Sequence, residues 1–199
     1  MLASSSPRRR RLLEQIGVPF EAIDPGAVEV AEGGPEEQVA ENAAAKARKV
    51  AERLEEGLVI GADTIVVADG RVLGKPRSAS EAKRMLRVLS GGVHRVLTCV
   101  AVVDAASGRM ETDLVETIVR MRALSEEEIA AYVATGEPSG KAGGYAIQGV
   151  GALLVEELRG CFYNVVGLPL SILGILMKRF GVDILKASTN ELHQLYSSS

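Results

Sequence analysis

"LVIGADTIVVADGRVLGKP", residues 58–76, is a run of β-branched and small apolar residues broken by one turn signal, Asp69-Gly70. That pattern predicts a strand buried on both faces, a tight turn and a short return strand. A strand buried on both faces needs helices above and below it, and the flanking sequence supplies them. Upstream, Pro35 to Leu54 is rich in Ala, Glu, Lys and Arg, with Val39, Ala43, Ala47 and Val50 at helical spacing. Downstream, Ser80 to Leu89 reads as a helix capped by Ser80 or its neighbour Ser78.

Beyond these, "HRVLTCVAVVD" and "DLVETIVRMR" read as strands, and "SEEEIAAYVATG" as a helix with a Ser125 cap and a Glu128 partner. "GALLVEEL" and "CFYNVVGL" predict a closing hairpin, and Pro169 to Phe180 the last long helix. Near the N-terminus, Ser6, Pro7, Arg8 to Ile16 and Gly17 give a cap, a first-turn proline, a helix body and a glycine stop. Helices and strands alternate, which predicts an α/β fold. Residues 1–185 read as one domain, and the polar stretch 186–199 as a frayed tail.

Composition narrows the function classes. With 23 Lys plus Arg against 26 Asp plus Glu, the net charge of −3 lacks the basic balance of a nonspecific nucleic-acid binder. Charges or glycines interrupt every apolar run before the roughly 18 residues needed to cross a bilayer, so no membrane partner is expected. Leu12-Leu13 is followed at once by Glu14 and Gln15, which leaves no apolar core for a secretory signal. Cys99 and Cys161 have no metal-type spacing and read as free thiols in a reducing cytoplasm.

Against this acidic background, "LASSSPRRRR" at residues 2–11 is a local basic cluster. A helix N-terminus offers unpaired backbone N–H groups and the positive end of the helix dipole. Here it also carries Ser4, Ser5, Ser6, Arg8 and Arg9, and a guanidinium fork suits phosphate oxygens. A capped, solvent-facing helix is the plainer reading of that stretch.

Asp63 is the sharper signal, because an unpaired carboxylate inside an apolar strand costs several kcal/mol or takes up a proton. A strand-end place on a cleft, beside a divalent metal or a water to be activated, removes the difficulty. Lys75, one hairpin later, can return a cation to the same cleft. In "GKAGGYAIQG" the glycines permit close backbone approach to a ligand, and the Gln148 amide can donate to and accept from a base edge. Glu29 and Lys46 do not stand out on their own. His94 has no companions at metal-ligand spacing and reads as structural.

The segments "LASSSPRR", "GADTIVV", "LGKP", "LSGGVHRVLT", "YVATGEPSGKAGGYAIQGVGALLV" and "NVVGLPL" occur in order over roughly residues 2 to 170. Together they resemble the signatures of the Maf family of nucleoside triphosphate pyrophosphatases. The resemblance implies a curved mixed sheet with flanking helices and two lobes around a deep cleft, similar to inosine triphosphate pyrophosphatases. It also implies a homodimer that needs a divalent metal, Mg²⁺ or Mn²⁺, and cleaves its nucleoside triphosphate substrate between the α- and β-phosphates.

By the same resemblance Asp63 is the catalytic base, and Ser4, Arg8, Glu29, Lys46 and Lys75 hold phosphates and metal, with Glu29 and Asp63 as the metal carboxylates. Arg9, Thr64 and Gln148 match the branch that prefers dTTP and UTP over the branch that acts on 7-methyl-GTP. Where relatives commonly carry aspartate, this chain has Gly140 before Lys141. A nucleic-acid-binding or division-regulating protein is the alternative from another class, since SPRRRR could contact a phosphate backbone.

Overall fold

The computed structural model describes residues 1–186. In chain order these form β1 (Leu2–Ala3), α1 (Pro7–Gln15), β2 (Ala22–Ile23), α2 (Pro35–Ala51), β3 (Leu58–Ala68), β4 (Arg71–Leu73), α3 (Ala79–Leu89), β5 (Val93–Asp104), β6 (Met110–Met121) and α4 (Glu126–Ala134). Two 3₁₀ turns, Ala142–Gly144 and Gly149–Leu154, lead to β7 (Val155–Arg159), α5 (Phe162–Val166) and α6 (Leu170–Arg179). The expected frayed tail lies, apart from Lys186, outside the described residues.

Seven strands make one mixed sheet in the order β2-β1-β3-β5-β6-β7, with β4 paired to β3. Only the β1 pairings, to β2 and to β3, are parallel. β3 is buried along both faces, as its composition requires. Val59, Ile65 and Val67 pack with Val39, Ala43, Ala47 and Val50 of α2. Ile60 and Ala62 face the opposite way, into a cluster with Leu12 and Leu13 of α1 and Leu173, Leu176 and Met177 of α6. A Cβ on Gly61 would lie 2.5 Å from the Ala43 carbonyl oxygen and 2.8 Å from the Ala47 nitrogen. Glycine at 61 and alanine at 43 and 47 thus set how closely α2 lies on the sheet.

The helix signals hold with small shifts. Ser125 and Glu128 form the capping box of α4, and Ser78 caps α3 by accepting the Glu81 N–H. Ser6 stands at the N-cap of α1 with Pro7 at the first helical position, but its hydroxyl makes no capping bond. The expected closing hairpin is corrected. Residues 155–159 form the strand β7, whereas 162–166 form the short helix α5. Gly160, at φ +130°, turns the chain out of the ladder. Thr117 then takes over, its hydroxyl accepting the Cys161 N–H at 3.0 Å and donating to the Cys161 carbonyl at 3.2 Å.

One edge of β3 pairs continuously with β5, from Leu58 to Val67. On the other edge β1 covers Ile60 and Gly61, and β4 covers Val66 to Ala68. Among the described residues, no strand lies beside 62–65 on that edge. The chain leaves this gap on one side as Ser4 to Pro7 and on the other as Gly74 to Lys75. Asp63 and Thr64 occupy the gap and point to opposite faces of the sheet.

Candidate active site

The gap in β3 opens into a cavity of about 830 Å³ whose walls include Ser4, Arg8, Arg9, Glu29, Lys46, Asp63, Thr64, Lys75 and Gln148. Every residue singled out as catalytic, substrate-binding or metal-binding therefore converges on one cleft. A second cavity, about 1260 Å³, lies between the β3–β4 hairpin, α2 and α3 and meets the first at Glu29, Asp63, Thr64 and Lys75.

Asp63 is 5% exposed, and its partners come from α2. Lys46 Nζ donates to Asp63 Oδ1 at 2.6 Å and to Glu29 Oε1 at 2.8 Å. Asn42, one helical turn before Lys46, approaches Asp63 Oδ2 with its Nδ2 at 3.4 Å. The carboxylate that lacked a structural explanation in the sequence is thus compensated by a lysine in a charge-assisted hydrogen bond. Its Oδ2 is the more weakly engaged oxygen.

Asn42 also clasps the loop that carries Glu29. Its Oδ1 accepts the Val30 N–H at 2.7 Å and its Nδ2 donates to the Val30 carbonyl at 3.1 Å. Sequence reasoning missed Asn42. The available signal was a row of polar residues, Gln38, Asn42 and Lys46, spaced four apart on the otherwise apolar buried face of α2. From the β4 side Lys75 Nζ reaches Glu29 Oε1 at 2.8 Å. Partial burial pushes the Glu29 carboxyl up, but the hydrogen bonds and charges of Lys46 and Lys75 outweigh it and hold the group at about 2.

The other wall is α1. Arg9 donates from Nε to the Gly167 carbonyl at 2.7 Å and from Nη2 to Thr64 Oγ1 at 3.1 Å. Burial lowers its guanidinium to about 10, which still leaves it charged at neutral pH. Ser4, 4% exposed, accepts the Ser6 N–H at 3.2 Å and an Arg9 Nη1 hydrogen at 3.4 Å. Arg8 has no hydrogen bond or ion pair among the described residues, and burial lowers its guanidinium from the ordinary value.

The cleft walls carry six cations, Arg8, Arg9, Arg11, Lys46, Lys75 and Lys141, against four anions, Asp24, Glu29, Asp63 and Glu137. A chain of net charge −3 therefore presents a positive cleft, which favours an anionic ligand.

The glycine-rich segment forms the rim. Tyr132 Oη accepts the Ala146 N–H at 3.1 Å, and the Glu137 carboxylate accepts the Val150 and Gly151 N–H groups at 3.1 and 2.7 Å. A Cβ on Gly149, at φ +71°, would lie 2.1 Å from Glu137 Oε1, so this turn requires glycine. The exposed Gln148 sits on a pinned backbone. Gly140, the departure from the resembled pattern, has φ +69° and open space around it.

His94 is structural, as read. It is 2% exposed, with Nε2 at 2.7 Å from Tyr145 Oη and Nδ1 without a partner among the described residues. A proton on Nε2, donated to Tyr145, avoids stranding a buried N–H at Nδ1. Burial pushes its pKa from 6.5 down to about 4. The unfolded chain therefore takes up this proton first, so the associated stability is present above pH 6.5 and is lost as pH falls toward 4. The loss should be on the order of 3 kcal/mol over that window. His94→Gln keeps a donor but does not titrate, and urea denaturation at pH 7 and 4.5 should show a smaller acid loss than wild type. Equal losses would contradict this assignment.

Of the four carboxylates on the cleft walls, Glu29 and Asp63 are the pair that shares Lys46, and among the described residues no group of three His, Cys, Asp or Glu side chains could hold a metal. That donor set fits Mg²⁺ or Mn²⁺, hard ions that are commonly held by one or two carboxylates together with substrate phosphates. Among the described residues no helix is long and apolar enough to cross a membrane, and both Cys99 and Cys161 are free.

The family model described as Maf-like protein matches residues 1–180. A dTTP/UTP pyrophosphatase of Pelotomaculum thermopropionicum is 53% identical over 187 residues, covering 93% of this chain and 98% of the relative. One from Moorella thermoacetica is 51% identical over 187 residues, covering 92% and 96%. One from Dictyoglomus thermophilum is 47% identical over 188 residues, covering 93% and 97%.

Proposed function

Because this chain belongs to the Maf-like protein family, we propose that it is a nucleoside triphosphate pyrophosphatase that hydrolyses dTTP and UTP to the monophosphate and pyrophosphate. The observation that carries the reading to this chain is the convergence of its acidic and basic candidate residues on one positive cleft at the break in the β3 edge. A cavity of about 830 Å³ also falls in the range of small-molecule sites.

In this reading Asp63 is the general base. Oδ1 is held by Lys46, so Oδ2 takes the proton from water as that water attacks phosphorus. The bond to the bridging oxygen breaks, and pyrophosphate leaves with that oxygen's electron pair. Arg8, whose side chain makes no hydrogen bond or ion pair among the described residues, and Lys75 stabilise the phosphate charge, while Lys46 fixes the orientation of Asp63. Ser4 and the start of α1 add polar contacts. Glu29 and Asp63 would hold a divalent cation together with the substrate. Such an ion supplies charge neutralisation of the phosphate oxygens. The homodimer implied by the family resemblance, and a cytoplasmic location where nucleotide pools are met, belong to the same proposal.

The direct test is product analysis with dTTP and UTP in the presence of Mg²⁺. Monophosphate and pyrophosphate are expected, and nucleoside diphosphate with inorganic phosphate would defeat the reading. Specificity is assigned to Gln148, which presents an amide at the rim. Loss of a polar contact costs about 1–3 kcal/mol, so Gln148→Ala should lower kcat/KM for dTTP and UTP by roughly 10- to 100-fold. It should also narrow their advantage over CTP. An unchanged preference order removes Gln148 from base recognition.

A further inference from the structure

We propose that Thr98, a β5 residue that lines neither cavity, is a positioning residue that fixes Arg9 through a one-way chain of hydrogen bonds. Thr98 is 0% exposed and lies directly across the β3–β5 ladder from Thr64. The two hydroxyl oxygens are 2.9 Å apart. Thr98 Oγ1 also donates to the Asn164 carbonyl oxygen at 2.9 Å.

These contacts settle the direction of every proton. A carbonyl can only accept, so the single Thr98 hydrogen is committed to Asn164. The Thr64–Thr98 bond must then be donated by Thr64. With its own hydrogen committed, Thr64 can only accept from the Arg9 Nη2 hydrogen, at 3.1 Å. The chain runs from Arg9 to Thr64 to Thr98 to the Asn164 carbonyl and cannot reverse. Thr64 therefore has no hydrogen to donate to a substrate, and its role in the cleft is to hold Arg9.

The far end of the chain is rigid. Asn164, 0% exposed, donates from Nδ2 to the Val96 carbonyl and to Thr117 Oγ1, both at 2.9 Å. This ties α5 to the sheet, and α5 then presents two carbonyls toward the cleft wall: Asn164 to Thr98, and Gly167, just past its end, to Arg9 Nε at 2.7 Å. Arg9 is gripped by Gly167, Thr64 and, more weakly, Ser4, and the remaining hydrogen on each Nη is left for acceptors on the nucleotide. A long, flexible side chain is in this way ordered before substrate arrives, which lowers the cost of binding.

The proposal rests on the nucleotide-hydrolysis reading given above. Thr98→Val keeps volume but removes the hydroxyl. It should raise KM for dTTP and UTP roughly tenfold while kcat changes by less than about threefold, with Thr98→Ser restoring the wild-type KM. The decisive readout is coupling to Arg9: in an Arg9→Ala background Thr98→Val should raise KM no further. Thr64→Val breaks the same chain at its half-buried, cleft-lining link and must behave alike, which keeps the test valid if Thr98→Val fails to fold. An unchanged KM in both valine variants, or the same rise with and without Arg9, overturns the proposal. If wild type releases no pyrophosphate from dTTP, the hydrolysis reading fails instead, and the same cycle is read as dTTP dissociation constants by calorimetry.

Discussion

Asp63→Asn should lower kcat for dTTP with Mg²⁺ by at least about two orders of magnitude, the usual contribution of a general base. The substitution keeps the shape of the side chain and removes both the proton acceptor and the charge. Folding should survive, because the asparagine carbonyl can still accept from Lys46, which also keeps Glu29 at 2.8 Å. No gain in melting temperature is expected. In the sequence alone Asp63 reads as a costly isolated charge, but with Lys46 at 2.6 Å there is no uncompensated charge to relieve. dTTP should still raise the melting temperature of the variant, since Arg8, Arg9 and Lys75 remain. A folded Asp63→Asn protein that keeps more than about a tenth of wild-type turnover contradicts the general-base role.

Lys46→Met should be the most destabilising change in the cleft. The Lys46 side chain is 10% exposed and that of Asp63 is 8% exposed, and the methionine leaves Asp63 with the long Asn42 contact as its only side-chain hydrogen bond among the described residues. Removing one partner of a buried pair typically costs about 3–5 kcal/mol. Adding Asp63→Asn to Lys46→Met removes the stranded charge, so the double variant should be more stable than Lys46→Met alone. Urea denaturation at pH 7 reads this directly. A Lys46→Met protein within about 1 kcal/mol of wild type, or a double variant less stable than the single one, would show that Lys46 does not compensate Asp63.

The sequence by itself determined the elements whose signals are local. The β-branched run of β3, the Val39, Ala43, Ala47 and Val50 stripe of α2, and the Ser125 and Glu128 box of α4 each lie within a few turns of chain and form as read. Asp63 was legible because a carboxylate in an apolar strand demands a partner, whatever that partner is. Its identity was not legible, because Lys46 and Asn42 come from a different element and Glu29 from a loop that Asn42 holds. β1 and β2, at two residues each, are too short to show a period and exist only through their pairing with neighbours.

At α5 the apolar run over residues 161–168 suits a strand or a helix equally, and Gly160 together with the Thr117 and Asn164 bonds decides for the helix. Arg9 and the Gly167 carbonyl that grips it are 158 positions apart. Hydrophobic period and helix caps are properties of neighbouring residues, whereas the break in the β3 edge, the compensation of Asp63 and the direction of the Thr64 hydroxyl depend on groups that only the folded sheet and its covering helices bring within hydrogen-bonding distance.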